Sequence, residues 1–126
     1  MIFKYISMLN NTLEIVVNND PNWQYQVVDF IGNLDSYSLK DKREVLFDTV
    51  NQANKAYLVF NFLNLNFINS ECISLLLQFN EILLKKGKKL VIMNAKKNVI
   101  DVLNVIGIFQ TMPYFKNIEE FTNSIK

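Results

Sequence analysis

The sequence predicts an α/β fold: a single-layer mixed β-sheet with helices packed on it, in the order β-β-α-β-α-β-α-(β)-α. Three observations carry that expectation. Short runs rich in β-branched and aromatic residues, such as Ala56–Phe62 and Lys89–Met93, recur along the chain. Segments with a helical apolar period separate them, as parallel strands joined by crossovers require. Hydrophobic residues make up 50% of the 126 positions and charged residues 20%, enough apolar material for one core and too much for a disordered chain.

Thr12–Val17 reads as a β-branched strand, broken by the turn residues Asn18, Asn19, Asp20, Pro21 and Asn22. Gln24–Ile31 is a second strand, and the two are expected to form a hairpin. Gly32-Asn33-Leu34-Asp35 is expected to end it, the glycine supplying backbone freedom. Lys40–Asn54 then takes a helical period, with Leu39, Leu46, Val50 and Ala53 on one stripe and Asp41 in the first turn, where an acid suits the helix dipole. Ala56–Phe62 suits a buried central strand, continued briefly by Leu65–Ile68.

Cys72–Lys86 reads as an unusually apolar helix. Ile73, Leu76, Leu77, Leu83 and Leu84 form one stripe, and Leu75, Phe79 and Ile82 form another. Only Ser74, Gln78, Glu81 and Lys85 remain as a polar strip, so the helix is buried on more than one side or offers part of itself to a partner. Gly87 marks its end, and Lys89–Met93 is a further buried strand. Asn98–Phe109 is a third helix with Val99, Val102, Leu103 and Ile106 inward. Pro113 cannot donate to a ladder, which limits Met112–Phe115 to a short edge strand. Ile118–Ile125 closes the chain as a short helix.

Composition argues against most chemistry. Thirteen basic and 12 acidic residues leave a net charge of +1, without the basic face that nucleic acid needs. The densest basic run, Lys85-Lys86-Gly87-Lys88-Lys89, reads as a solvated turn. Histidine is absent and Cys72 is the single cysteine, so no disulfide, no cysteine-based zinc site and no other metal or cofactor is expected. Phosphate-loop spacings are missing too. Cys72 lies near a helix start that can acidify a thiol, but without a histidine relay it reads as a small packed residue rather than a nucleophile. No apolar stretch reaches the ~18 residues of a membrane span. The first residues lack a basic region and a cleavage site, so no secretory signal is expected and a reduced, cytoplasmic compartment is the default.

The most informative stretch is Phe67-Ile68-Asn69-Ser70-Glu71-Cys72-Ile73. A buried strand ends there and a long helix begins, leaving free N–H groups that favour anions. Asn69 or Ser70 can cap the helix and Glu71 suits its dipole; capping alone is enough to account for all three.

From about Tyr25 to Ile125 the chain resembles a STAS domain of the bacterial anti-sigma-factor-antagonist type. Gly32-Asn33-Leu34-Asp35 is similar to that family's G-x-[LI]-D segment, and Tyr57–Phe62 followed by Phe67-Ile68-Asn69-Ser70 to its strand leading into D-S-S-G. Gly87-Lys88-Lys89-Leu90-Val91-Ile92 and the Val99–Phe109 segment, with Leu103 and Gly107 in register, follow in order.

The resemblance implies a non-enzymatic protein-binding switch, controlled by a kinase-like anti-sigma factor that phosphorylates one serine of D-S-S-G. Carried over, Asn69 stands at the Asp, Ser70 at the first Ser, Glu71 at the phosphorylated Ser and Cys72 at the Gly. Glu71 has no hydroxyl to accept a phosphoryl group, so kinase control in the usual form is lost, and Glu71 is either an imperfect imitation of the modified form or an ordinary helix-start acid; Ser70, a hydroxyl in the same loop, is the candidate for substitute phosphorylation. The expected partner-binding surface is the Asn69–Ile73 turn (Asn69, Ser70, Glu71, Cys72, Ile73), the open side of the following helix, and Asp35, Ser36 and Tyr37. The expected partner is a histidine-kinase-like anti-sigma factor or related ATPase. The alternative is a STAS accessory subunit of a lipid-transport complex that binds the transporter ATPase. One STAS-like domain is expected over 1–126, with 1–11 as an extension whose Phe3, Tyr5, Met8 and Leu9 either pack on the domain's own sheet or form a homodimer.

Overall fold

The computed structural model describes residues 13–126, so the expectations for the extension and for Thr12 lie outside the described residues. The elements are β1 (Leu13–Asn18), β2 (Tyr25–Leu34), α1 (Ser36–Asn51), β3 (Tyr57–Ile68), α2 (Ser70–Lys85), β4 (Lys89–Met93), α3 (Lys97–Ile106), a 3-10 turn (Ile108–Gln110), β5 (Tyr114–Phe115) and α4 (Ile118–Ser124). The described strands form one sheet in the order β1-β2-β3-β4-β5. The β1–β2 hairpin is antiparallel and every other neighbour is parallel. The predicted mixed sheet and element order are therefore present. β5 pairs through two residues only, beside Pro113.

Each sheet face has its own cover. On one face Phe30, Phe60, Phe62 and Ile92 pack with Leu46 and Val50 of α1, Leu76 and Phe79 of α2, and Val99 and Leu103 of α3. On the other, Tyr25, Val27, Val59 and Val91 pack with Phe121 of α4. Alternation along β2 and β3 sends neighbouring side chains to opposite faces, which is why Val27 and Val59 join one cluster while Val28 and Phe60 join the other. Trp23 stacks on Tyr25 with ring centroids 5.0 Å apart, extending the second cluster to the sheet end.

Several boundaries differ from the sequence expectation, among them the end of α1 at Asn51 rather than Asn54 and the start of α2 at Ser70 rather than Cys72. Gly32 does not end β2; it lies within the strand at φ +118°, beside an irregularity in the β2–β3 ladder. β3 carries two extra residues there, between the pairs Asp29–Asn61 and Ile31–Asn64, and between Gly32–Leu65 and Asn33–Phe67. Phe62, Leu65 and Ile68 consequently all face the core at a spacing of three. That spacing breaks the two-residue period and makes one continuous strand look like two pieces. α1 begins at Ser36 rather than Lys40, so Asp41 lies beyond the first turn, which holds no acid. The third helix stops at Ile106, where Gly107 takes the left-handed conformation at φ +73° and caps it.

Candidate functional site

β2 and β3 are parallel neighbours, and each runs directly into a helix after one residue. The starts of α1 and α2 are therefore side by side at one end of the sheet, and the Asn69 amide donates to the Leu34 carbonyl at 3.2 Å. Capping chemistry fixes both starts. Asp35 accepts from the Ser38 amide at 2.8 Å, while its own amide donates to Ser38 Oγ at 3.1 Å, a reciprocal capping box. The Ser38 hydroxyl is buried and donates to the Asn33 carbonyl at 2.7 Å. Asn69 caps α2 by accepting from the Cys72 amide at 3.2 Å. Of the two capping residues the sequence offers, Asn69 takes the role and Ser70 becomes the first helical residue.

The two helix starts are also joined through side chains. Ser36 Oγ donates to the Glu71 carboxylate, and Asn69 Nδ2 donates to Ser36 Oγ at 3.4 Å. Beside this junction lies a cleft of about 230 Å³ lined by Ser36, Leu39, Lys40, Arg43 and Glu71. The Arg43 guanidinium sits 5.2 Å from the Phe47 ring centroid, which limits how far it can swing from the helix.

The predicted surface residues divide by depth. Ser36, Tyr37, Ser70 and Glu71 are exposed, and Asp35 and Asn69 are half-buried. Cys72 and Ile73, in contrast, are fully buried, so the expectation that they face a partner is corrected: position 72 is the third residue of α2 and turns to the core. Burial pushes the Cys72 thiol up to about 11, and the negative charges of Asp35 and Glu71 add to the shift. Desolvation disfavours the thiolate more than the helix start favours it, in keeping with a packed thiol rather than a nucleophile. Further along α2, Leu77 and Leu84 stay exposed while Leu75, Leu76, Phe79 and Leu83 are covered. This is the apolar surplus expected of that helix.

Lys40 and Arg43 were not legible as site residues. They follow Ser36 by one and two helical turns, but that spacing has meaning only once α1 is known to start at Ser36. The signal was the Asp35-x-x-Ser38 box. Asp35→Ala should cost about 1–2 kcal/mol, read as a lower urea midpoint with an unchanged slope. Asp35→Asn should restore most of it, and an unchanged midpoint in the alanine variant would refute the capping role.

A family model for the STAS domain matches residues 14–121. A search of curated proteins by sequence gives no match. Among solved structures, the chain is similar to an anti-sigma factor antagonist from Mycobacterium paratuberculosis, with 16% identity, TM-score 0.79, and coverage of 91% of this chain and 95% of that one. It is also similar to the Bacillus protein SpoIIAA, an anti-sigma factor antagonist, in its unphosphorylated form, with 19% identity, TM-score 0.70, and coverage of 89% and 96%. A third relative is a serine-to-glutamate variant of RsbS from Moorella thermoacetica, with 19% identity, TM-score 0.64, and coverage of 90% and 93%. The five-stranded mixed sheet, the paired helix starts and the extent of the family match together establish that this chain belongs to the STAS-domain family.

Proposed function

We propose that this chain is a non-enzymatic partner-switching module of the anti-sigma-factor-antagonist kind, docking a protein through the paired starts of α1 and α2. The observation that carries the reading is Glu71. It stands exposed at the first turn of α2, tied to Ser36, at the position that the family resemblance gives to the phosphorylated serine. It supplies one negative charge where phosphorylation supplies about 1.5 to 2. SpoIIAA has been solved in a phosphorylated form as well, and the RsbS relative carries a glutamate in place of a serine, so both a charged serine and a glutamate substitution occur on this fold. Exposed Tyr37 beside the junction, and Leu77 and Leu84 along α2, extend the surface with apolar contact area. Within the described residues no helix is long and apolar enough to cross a membrane. The proposed setting is the bacterial cytoplasm.

Glu71→Lys reverses the charge at the centre of this surface without touching the core. Capture by the tagged wild-type chain from its own host should recover a histidine-kinase-like ATPase, and the variant should recover at least about tenfold less of it. Equal recovery with both would remove the helix starts from the interface. Recovery of a transporter ATPase in its place would assign the chain to a transport complex.

A further inference from the structure

We propose that Ser36, not Ser70, is the phosphorylation site of this chain, with Glu71 as the acceptor of its hydroxyl proton. The inference rests on the partner-switching reading, since it takes the docked ATPase to be a kinase. Its starting point is a geometric substitution. Position 71 has a carboxylate where a hydroxyl would be modified, but Ser36 brings a hydroxyl to hydrogen-bond distance of that carboxylate from the neighbouring helix. A kinase docked over the start of α2 therefore meets a serine Oγ within one hydrogen bond of the tip of residue 71.

Three features separate Ser36 from Ser70. The Ser36 hydroxyl already donates to a carboxylate, the arrangement that removes a proton as an alcohol attacks. Asn69 Nδ2 donates to the same oxygen and holds it in place. Ser36 also lines the cleft together with Lys40 and Arg43, which lie one and two turns further along α1 and are engaged in no described ion pair. A phosphate on Ser36 would gain two cations as counter-charges there, offsetting its repulsion from Glu71. Ser70, although exposed, is not among the residues lining that cleft.

The step balances. Ser36 Oγ attacks the γ-phosphorus of a nucleoside triphosphate held by the partner. A P–O bond to Ser36 forms as the bond to the bridging oxygen of the diphosphate breaks, the nucleoside diphosphate leaves, and the hydroxyl proton passes to Glu71. Once Glu71 releases that proton to solvent, the product holds a dianionic group against its carboxylate, and the Ser36–Glu71 hydrogen bond is gone. The modification thereby alters the docking surface at its centre.

The test is phosphopeptide mapping of the full chain isolated from its own host, with Ser36→Ala, Ser70→Ala and Glu71→Gln variants alongside. Phosphate is expected on Ser36 in the wild type, retained in Ser70→Ala and absent in Ser36→Ala. Glu71→Gln keeps a hydrogen-bond acceptor but is no base, and incorporation should fall by about a hundredfold. Circular dichroism of each variant verifies the fold, because both serines are exposed. Phosphate on Ser70 alone, full incorporation in Glu71→Gln, or no phosphate on Ser36 overturns the proposal. Partner capture with Glu71→Lys is scored independently. Loss of capture with no phosphate on Ser36 defeats this inference only, whereas undiminished capture defeats the docking reading beneath it.

Discussion

Phe60→Ala is expected to destabilise the domain by about 3–5 kcal/mol. Phe60 has no exposed surface and sits in β3, the middle strand of the sheet. Its ring centroid lies 4.8 Å from that of Phe30, 6.4 Å from Phe62 and 6.1 Å from Phe79, so it joins β2, β3 and α2 in one cluster. Truncation removes the transfer energy of the ring and leaves a cavity, because sheet partners on both sides keep the strand from collapsing. A domain of this kind has about 5–15 kcal/mol in total, so the variant is left near its threshold. Urea unfolding should show a much lower midpoint, and Phe60→Leu should recover a large part of the loss. A loss below about 1 kcal/mol would contradict this core assignment.

The second large effect is a pH dependence from Cys72. Its folded-state value of about 11 lies above the ordinary thiol value of 9.0. The folded state therefore holds the proton more tightly than the unfolded chain. Below pH 9 both states are protonated and the group contributes its full stabilisation. As pH rises from 9 to 11 the unfolded thiol ionises first, and that stabilisation is lost. The loss reaches at most about 1.4 kcal/mol by pH 10. The measured quantity is the difference between wild type and Cys72→Ala, which cancels contributions common to both. That difference should be flat from pH 7 to 8.5 and move against the wild type by pH 10. A constant difference across the range would mean that the thiol is not desolvated.

The capping network links the fold to the proposed switch. Asp35 and Ser38 set where α1 begins, Asn69 sets where α2 begins, and the Asn69–Leu34 hydrogen bond ties the two starts together. Glu71 and Ser36 can meet only because both helices start within one residue of adjacent parallel strands. A change of charge at this junction acts on two helix termini together, where fixed dipoles strengthen its effect.

Much of this architecture was legible in the residues themselves. The apolar runs of β3 and β4, the greasy period of α2 and the short edge strand beside Pro113 follow from local rules, since a strand buried on both faces and a helix packed on the sheet and on its neighbour need such patterns. The family resemblance also came from order and spacing along the chain. The boundaries at Gly32 and Ser36 did not follow from these rules. β2 runs on through Gly32 beside a ladder irregularity carried by β3, and a capping box starts α1 four residues before Lys40, where the helical period becomes readable.

Residue order alone was enough to set the succession of strands and helices, to remove histidine chemistry and to place an acid at position 71. Folding in three dimensions was needed to turn Cys72 and Ile73 inward, and to gather Ser36, Lys40 and Arg43 into one cleft with Glu71. The cause is separation along the chain: Ser36 and Glu71 are 35 positions apart. Local pattern fixes which face of a helix is apolar, but the parallel pairing of β2 with β3 is what brings two distant helix starts to the same end of the sheet.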